Sequence, residues 1–394
     1  MRRAVFLGFV LLSGCGSDPA TEPPVQQQDD ALSFHFEADV GAGQEVLRCA
    51  FIQMPADRGA MHVGSIDHVY TAGSHHFLVY RTGLSSIPKG APTALTDCDE
   101  TGWMSKVRGV AYAAQDPKGQ FLLPDGVAQS FDPNEVLLVQ AHYLNGSAQD
   151  LHATIDFSMH LLDADKPVTE AGVLFFFNPA IYIDPQAAST AELTCPVPTD
   201  VHLAFAASHM HKRAVGFRAE SSDAAVSSAL GPLYETDNWE EPVPRVFTQE
   251  PPALLPAGSS IKYHCDYQNP DTFGVAAGPS ADTDEMCMFV AMYWPRASED
   301  VEFCRDGLVT GTGTASGAET LGCITSCAGQ SAECRGKCLT DACPNVPMKL
   351  APFAQCISDN CPACAQDSKS TDCTSCVAAS CASAYKDLTS ATCN

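Results

Sequence analysis

Residues 201–211 read VHLAFAASHMH, and this stretch indicates the fold class and contains the first candidate site. The apolar run at residues 201–206 has the length and composition of a β-strand. His209 and His211 follow it, and alternate residues of a strand point to the same face, so their imidazoles can converge. Neutral imidazole is a good ligand for copper and zinc. A lone His-x-His pair also occurs on ordinary surfaces, so both interpretations stay open at this point.

Similar short apolar runs recur along residues 32–305, separated by turns rich in Gly, Pro, Asn and Asp. No stretch of this region shows the period of an amphipathic helix, which favours β-sandwiches. About 275 residues are many for one sandwich and fit two. We therefore expect an all-β protein with tandem sandwiches at residues 32–167 and 168–310. The expected strands lie at residues 34–40, 77–80, 136–143, 153–159, 173–177, 201–206, 259–267 and 288–293.

The chain after residue 310 has a different composition. Cysteines crowd into it and large apolar residues are sparse, so it needs disulfides to hold a fold. We expect a linker at residues 311–318 (GTGTASGA) and a Cys-rich domain within residues 311–394. The spacings Cys323-x3-Cys327 and Cys334-x3-Cys338 place each pair on one face of a short helix.

Two further pairs in this tail, Cys361-x2-Cys364 and Cys373-x2-Cys376, have the spacing of zinc ligands. The tail contains no histidine, which weakens a mixed-ligand zinc site. Disulfides are therefore the favoured interpretation.

The N-terminus has the pattern of an export signal. Arg2 and Arg3 precede a short apolar stretch at residues 4–12, which ends in the sequence LSGC at residues 12–15. This resembles a bacterial lipobox, so we expect cleavage before Cys15 and lipidation of its thiol; an ordinary signal peptide is the alternative. Residues 16–31 then form a polar tether. The protein is expected to be an exported lipoprotein at the bacterial cell envelope or surface.

The cysteine count and the charge agree with an exported protein. Of 19 cysteines, removal of Cys15 leaves 18, which can pair completely where disulfides persist. The net charge of −25 becomes −27 once Arg2 and Arg3 are removed. Such a charge repels nucleic acid and anionic lipid headgroups, so nucleic acid is not an expected partner and the anchor is the only expected membrane contact.

A second group of histidines consists of the adjacent pair His75-His76 and the isolated His142. The two faces of a regular strand cannot meet one metal ion, so the adjacent pair requires a strand end or a twist. Gly73 and Ser74, directly before the pair, allow that.

Methionines at residues 286, 288 and 292 are either core residues or a source of a soft sulfur ligand for copper. Spacing alone does not choose between Met286 and Met288. Zinc would be satisfied by histidines, whereas a methionine in the ligand set indicates copper.

These pieces resemble the copper type II, ascorbate-dependent monooxygenases, which include the peptidylglycine α-hydroxylating and dopamine β-monooxygenases. The resemblance runs from about residue 34 to residue 303, and the order and spacing of the motifs make it specific. The motifs are GQEVLRC at residues 43–49, SHHFLVY at 74–80, LVQAHY at 138–143, SHMH at 208–211 and EMC at 285–287.

The resemblance implies two jelly-roll-like sandwiches with one copper on each and an open cleft between them. It implies an electron-transfer copper held by His75, His76 and His142, with Gln140 nearby. It also implies a catalytic, oxygen-activating copper held by His209, His211 and Met286. The EMC motif favours Met286 over Met288.

The resemblance further implies three disulfides, which are Cys49–Cys98, Cys195–Cys304 and Cys265–Cys287. Two positions depart from the peptide-amidating members, which place Arg two residues before the first His of His-x-His and Tyr four residues after the ligand Met. This chain has Ala207 and Val290 there. A peptide ending in glycine is therefore not an expected substrate.

The expected function is hydroxylation of an aliphatic or benzylic C–H bond of a small molecule with O2 and a reductant such as ascorbate. Two alternatives stay open. The same ligands could bind or sequester copper without turnover, or the Cys-rich tail could bind a partner while the histidines are incidental.

Overall fold

The structure is a computed structural model. It describes residues 30–72, 74–98, 103–249, 251–365 and 370–393. The predicted signal sequence, the lipidation site Cys15 and most of the predicted tether lie outside these residues.

The first half of the chain is built from antiparallel strands with short connections. Its elements are β1 (Ala31–Val40), β2 (Glu45–Gln53), β3 (Met61–Tyr70), β4 (Ser74–Arg81), β5 (Thr96–Asp97), β6 (Gly109–Ala114), β7 (Lys118–Leu122), β8 (Val127–Phe131), β9 (Val136–Leu144), β10 (Leu151–Leu161) and β11 (Thr169–Glu170), with a 3-10 helix at Met104–Lys106. One sheet has the order β1-β10-β3-β8-β11, with β7 paired to β3. The other has the order β5-β2-β9-β4-β6.

The side chains between these two sheets form the first core. In β10 every second residue is buried, as expected for a strand with one face on a core. Phe77 of β4 and Phe157 of β10 meet in this core with ring centroids 5.4 Å apart. The first half of the chain is therefore a β-sandwich.

The second half repeats this plan. Its elements are β12 (Gly172–Phe177), β13 (Tyr182–Ile183), β14 (Ala188–Val197), β15 (Val201–Met210), β16 (Ala214–Ser221), β17 (Tyr234–Thr236), β18 (Arg245–Val246), β19 (Leu254–Leu255), β20 (Ser259–Gln268), β21 (Val275–Ala276), β22 (Cys287–Trp294) and β23 (Leu308–Thr310), with helices α1 (Ala224–Leu230) and α2 (Glu299–Glu302). The sheets are β12-β22-β15-β18 with β19 on β15, β17-β16-β20-β14-β23, and the pair β13-β21.

The prediction of an all-β body made of sandwiches is confirmed, and the jelly-roll connection pattern stays a prediction. Two short helices, α1 and α2, also lie before residue 305, and neither has the amphipathic pattern that the sequence of this region lacks. Helix α1 forms because the Asp223 side chain accepts hydrogen bonds from the N–H groups of Ala225 and Val226. Because α1 has only seven residues and buries only Val226, it shows no amphipathic pattern in the sequence.

The two sandwiches pack on each other through one sheet of each. Leu78 and Leu138 of the β5-β2-β9-β4-β6 sheet share a buried apolar cluster with Val290 and Met292 of the β12-β22-β15-β18 sheet. Phe121 of β7, a strand of the other sheet of the first sandwich, also reaches Phe205 of the second sandwich, with ring centroids 5.0 Å apart. The two sheets that pack on each other therefore have one face on their own core and one on the other sandwich, which explains why β9 and β22 are apolar without alternation.

The tail is helical, as the cysteine spacing predicts for its first part. Its elements are α3 (Gly317–Ser326), α4 (Ala332–Thr340), α5 (Val346–Asn360), α6 (Thr371–Ser380) and α7 (Ala382–Thr389), with a 3-10 helix at Pro362–Ala365. The predicted linker ends earlier than expected, because Ser316 and Glu319 form a capping box that starts α3 at Gly317.

Disulfides join the helices of this tail. The four cysteines of the predicted pairs link the α3 and α4 region through Cys323–Cys338 and Cys327–Cys334. The four candidate zinc ligands pair with each other as Cys361–Cys376 and Cys364–Cys373. The remaining tail disulfides are Cys343–Cys393 and Cys356–Cys381. No thiolate of these pairs is left to hold zinc.

Candidate metal centre

His76 and His142 lie side by side on the face of the first sandwich that meets the second. They are partners in the β4–β9 register. His142 follows Leu138 and Gln140 at intervals of two residues along β9, so it shares their face of the sheet. His76 shares the face of Leu78 in the same way. The apolar part of each strand therefore fixes which way its histidine points.

His75 reaches the same place through a β-bulge. The β4–β9 register shifts between Ser74 and His76, so His75 is the extra residue on β4. A bulge redirects the side chain that it inserts. This is the local twist that the adjacent pair requires. The preceding Gly73 lies outside the described residues.

His209 and His211 come from the second sandwich. His209 lies opposite Met288 in the β15–β22 register, and Met210 lies opposite Cys287. Continuing this register places His211 opposite Met286. Ala207, His209 and His211 alternate with residues of the second core, so their side chains face the first sandwich.

The five histidines form a single buried cluster. His75 lies 5.2 Å from His142, 4.8 Å from His209 and 5.6 Å from His211, measured between ring centroids. His76 lies 4.9 Å from His209. Two triads have ligand nitrogens close enough for one metal ion, namely His75-His76-His142 and His75-His209-His211. The expected open cleft between the two histidine sets is therefore wrong, because the sheets that carry them pack directly on each other.

The ring nitrogens of this cluster divide into two groups. One nitrogen of each of three rings is held by a neighbour: His142 Nε2 by Glu45 Oε1 at 2.8 Å, His209 Nδ1 by Gln115 Oε1 at 2.9 Å, and His211 Nδ1 by the Asp284 carbonyl oxygen at 3.2 Å. The other nitrogen of each ring is buried without a hydrogen-bond partner among the described residues. The same holds for His75 Nε2 and both ring nitrogens of His76.

Buried polar atoms without partners are costly, so these nitrogens require a ligand. A metal ion would satisfy them together, and a metal-binding histidine commonly has its second nitrogen fixed by a carboxylate, amide or carbonyl. The donor set therefore fits a metal centre, and copper if Met286 or Met288 takes part.

Burial favours the neutral imidazole, the form that binds metal, at His75, His76, His209 and His211. Burial and the neighbouring His142 lower the pKa of His75 to about 3. Burial lowers the pKa of His211 to about 4, against the opposing effect of the Asp284 carbonyl. Burial together with the other rings holds the pKa of His76 and His209 well below the ordinary value.

Glu45 connects the centre to both sandwiches. Besides its bond with His142, its carboxylate accepts hydrogen bonds from Ser280 Oγ at 2.8 Å and from the Ala281 N–H at 2.7 Å. Burial alone would raise the pKa of Glu45. The hydrogen bonds from His142, Ser280 and Ala281 outweigh that effect and lower the pKa to about 2. Glu45 was missed from sequence, although it lies within the GQEVLRC motif. A carboxylate that starts a half-buried strand was the available signal.

Gln115 also connects the two sandwiches, but it orients a histidine of the second sandwich, whereas Glu45 orients one of the first. It belongs to the first sandwich and holds His209 of the second, while its amide nitrogen donates to the carbonyl oxygens of Trp239 and Glu240, each at 2.8 Å. The sequence contains no motif around Gln115, so only the fold reveals it.

Glu285 holds the turn that follows His211. It is fully buried, and its carboxylate accepts from the N–H of Arg213 at 2.7 Å and from that of His211 at 3.2 Å. Burial raises its pKa to about 7, against these donors. The Arg213 guanidinium binds Asp271 with an Nε–Oδ2 distance of 2.9 Å. The EMC motif contained Glu285, but sequence reasoning gave it no role.

Gln140, expected near the first histidine set, lies on β9 two residues before His142. Its amide oxygen accepts from the Tyr80 hydroxyl at 3.2 Å, and its nitrogen lies 3.2 Å from Met104 Sδ. Gln140 thus packs beside the centre and is anchored to the first sandwich.

A cavity of about 1150 Å³ opens from the centre. His76, His142 and His209 reach it, together with Met286 and Met288. Both methionines thus remain possible ligands by position, and the choice of Met286 stays a prediction. Ala207 and Val290, the two departures seen in the sequence, also line this cavity. The cavity wall is therefore apolar at Ala207 and at Val290.

The structure forms the three disulfides that the resemblance implies: Cys49–Cys98, Cys195–Cys304 and Cys265–Cys287. Cys265 on β20 and Cys287 on β22 join the two sheets of the second sandwich beside Met286. The Tyr267 hydroxyl donates to the Met286 carbonyl oxygen at 2.9 Å and strengthens the same connection.

Comparison with known proteins shows which family this chain is similar to. Residues 169–310 match the family model described as copper type II ascorbate-dependent monooxygenase, C-terminal domain. The resemblance predicted from the sequence is confirmed. The copper type II monooxygenase resemblance implies use of copper and ascorbate.

A relative and a solved structure show how far the similarity reaches. The chain is 21% identical over 280 residues to DBH-like monooxygenase protein 2 of Mus musculus, which covers 63% of this chain and 43% of the relative. The chain thus spans less than half the length of that relative. The crystal structure of the major capsid protein P2 from bacteriophage PM2 matches with 12% identity over 68% of this chain and 100% of that chain. Its TM-score of 0.29 supports no conclusion.

Disulfides throughout the described chain indicate an exported protein. Among the helices in the described ranges, none combines the length and the apolar character needed to cross a bilayer.

Proposed function

We propose that the protein is a copper-dependent monooxygenase that hydroxylates a C–H bond of a small molecule with O2 and an external reductant such as ascorbate. One observation carries the proposal. Five buried imidazoles from two sandwiches converge with ring nitrogens that have no partner among the described residues, and two methionines share a large cavity with three of these imidazoles.

Two copper ions are proposed, one held by His75, His76 and His142 and one by His209, His211 and Met286. Bound copper would supply O2 activation and one-electron transfer. One oxygen atom of O2 enters the C–H bond and the other leaves as water, with two electrons and two protons from the reductant. Met286 provides a soft sulfur that favours Cu(I).

The residues of this chain prepare the centre for that reaction. Glu45, Gln115 and the Asp284 carbonyl orient three of the rings and leave the opposite nitrogens free. Burial of the histidines, each at most 9% exposed, limits access of bulk water. His76, His142, His209 and Met286 line the cavity, so a substrate held there has its C–H bonds next to the metal ligands.

The direct test is O2 consumption by copper-loaded protein with ascorbate and a panel of candidate substrates under ¹⁸O2. We expect one labelled oxygen atom in the product and one product per O2. Binding of two coppers without product formation would make the protein a copper-binding or copper-sequestering surface protein. Less than one copper per chain after reconstitution would contradict both functions and leave the tail as a partner-binding element.

We also propose that the protein is held at the bacterial cell envelope through a lipid on Cys15. The lipobox-like sequence LSGC at residues 12–15 supports this. Expression of the whole chain in a bacterial host should place it in the membrane fraction, and Cys15→Ser should release it. An unchanged distribution of the variant would contradict the anchor.

A further inference from the structure

The Cys-rich tail, which lies beyond the residues matched by the family model, contacts both sandwiches. Gln355 of α5 donates from Nε2 to the Ser105 carbonyl oxygen at 2.6 Å in the first sandwich. Asp359, also on α5, accepts from Arg108 Nη2 at 2.7 Å. The tail therefore has specific polar contacts with the loop beside Met104.

The contact with the second sandwich is made by α4. The Tyr182 hydroxyl of β13 donates to Glu333 Oε1 at 3.1 Å. Gly336 approaches β21 so closely that an added Cβ would lie 2.6 Å from the Ala276 Cβ. The backbone of α4 is thus seated directly on the β13-β21 pair, and the tail bridges the two sandwiches.

The helices between these contacts form a wall of the cavity that opens from the histidines. Leu339 of α4 and Leu350, Ala351, Phe353 and Ala354 of α5 line it. His209 and Met286 line the same cavity from the second sandwich. Its volume of about 1150 Å³ lies just above the range of about 300–1,000 Å³ typical of small-molecule sites.

The cavity surface is predominantly apolar. Its charged residues, among the described ones, are Asp116, Arg305 and Arg335. Arg305 is paired with Glu299, with an Nη2–Oε1 distance of 2.5 Å, and Arg335 is exposed. Burial of apolar surface is therefore the main interaction that this cavity offers a ligand.

We propose that the Cys-rich domain forms part of the substrate chamber, and that the substrate is a bulky, uncharged, apolar molecule. The inference rests on the proposed function. The domain supplies the side of the chamber that the two sandwiches leave uncovered, and its disulfides hold that wall in a fixed shape without a large core of its own.

The test measures binding of the neutral apolar fluorophore N-phenyl-1-naphthylamine to the copper-loaded full-length protein. Ala351→Trp and Ala354→Trp place large side chains on the cavity surface of α5. We expect each to weaken binding at least tenfold without changing the copper content. Ala351→Leu, a milder change, should weaken binding by a smaller factor and guards against misfolding.

The matched control is Ala379→Trp on α6, an exposed alanine of the same domain that does not line the cavity. It should leave the Kd unchanged. In the wild type, the cation 1-naphthylmethylammonium should bind at least tenfold more weakly than the neutral N-phenyl-1-naphthylamine, since the cavity is predominantly apolar. Equal Kd values of the neutral fluorophore for the wild type, Ala351→Trp and Ala354→Trp would contradict the role of α5 as a chamber wall. Equal or tighter binding of the cation would contradict an uncharged ligand.

Binding and turnover separate this inference from the proposed function. Fluorophore binding that responds to the α5 variants in a protein without monooxygenase activity would support the chamber and contradict the function. Hydroxylation with an unchanged KM in Ala351→Trp and Ala354→Trp would support the function and contradict the chamber wall.

Discussion

His75 of the first sandwich lies nearer to His209 of the second than to His142 of its own expected ligand set. The ring centroids are 4.8 Å apart in the first case and 5.2 Å in the second. His75 accordingly belongs to both triads that could hold a metal ion. The two expected copper sites are adjacent, so the assignment of His75 decides how many ions the centre holds.

We expect two coppers per chain in the wild type and one in His75→Ala. In the proposed arrangement Met286 is the third ligand beside His209 and His211, so that site would not need His75. Copper analysis after gel filtration, with the Cu(II) electron paramagnetic resonance spectrum, measures both. Loss of both ions in His75→Ala would show that His75 serves the two sites together. A single copper in the wild type would show one mononuclear centre.

Met286→Ile should abolish hydroxylation and leave the copper held by His75, His76 and His142 in place. Isoleucine keeps an apolar side chain of similar size but removes the sulfur ligand. Met288→Ile is the matched control, because Met288 lies on the same cavity and faces His209. It should keep most of the activity. Retained activity in Met286→Ile, with loss in Met288→Ile, would transfer the ligand role to Met288.

Glu45→Gln should weaken copper binding or activity about 10- to 100-fold, the usual cost of losing a partner that orients a metal ligand. Glutamine keeps the size of the side chain but removes the charge that holds His142, Ser280 and Ala281. Isothermal titration with copper measures the loss.

Asp156→Asn is the control for Glu45→Gln, because Asp156 pairs with the exposed His35 at 2.7 Å and lies on β10, in the sheet that does not carry the histidines of the centre. Exposed pairs contribute little, so copper affinity should not change. Equal effects of the two substitutions would mean that Glu45 acts only through the net charge.

Replacing Cys265 and Cys287 by alanine should destabilise the protein by about 3 kcal/mol, as expected for a loop of this length, and should also weaken the Met286 site. The disulfide joins cysteines 22 residues apart, and Cys287 directly follows the proposed ligand Met286. The matched pair Cys356–Cys381 spans 25 residues within the tail. Its removal should cost similar stability, measured by urea unfolding, and leave copper content unchanged. Equal loss of copper in both variants would indicate a general unfolding effect.

The strands predicted from sequence are those with dense apolar residues, and each of them occurs in the structure. The strands that were missed, such as β3 and β16, contain several polar residues and a glycine, which interrupt the apolar pattern. Strand β3 includes His62, Asp67 and His68. Their pairing comes from long-range partners that local pattern does not reveal, such as the β3–β10 register.

The tail was anticipated only in part. Cysteine spacing predicts helices around Cys323–Cys327 and Cys334–Cys338, and these form as α3 and α4. The partner of each cysteine does not follow from spacing, since Cys323 bonds Cys338 and not a nearer cysteine. Nor does spacing reveal that α4 and α5 cover the cavity beside His209.

The sequence by itself determined the β-sandwich class and the candidate ligands, because alternation along a strand and histidine spacing are local properties. It also required a break in the strand at His75-His76, which the bulge provides. Only the tertiary structure decided that the five rings form one cluster, in which Glu45 orients His142 and Gln115 orients His209. That result depends on how two sheets far apart in sequence pack on each other, and on the burial that leaves ring nitrogens without a hydrogen-bond partner among the described residues. Neither the packing of the two sheets nor this burial can be read from a local sequence pattern.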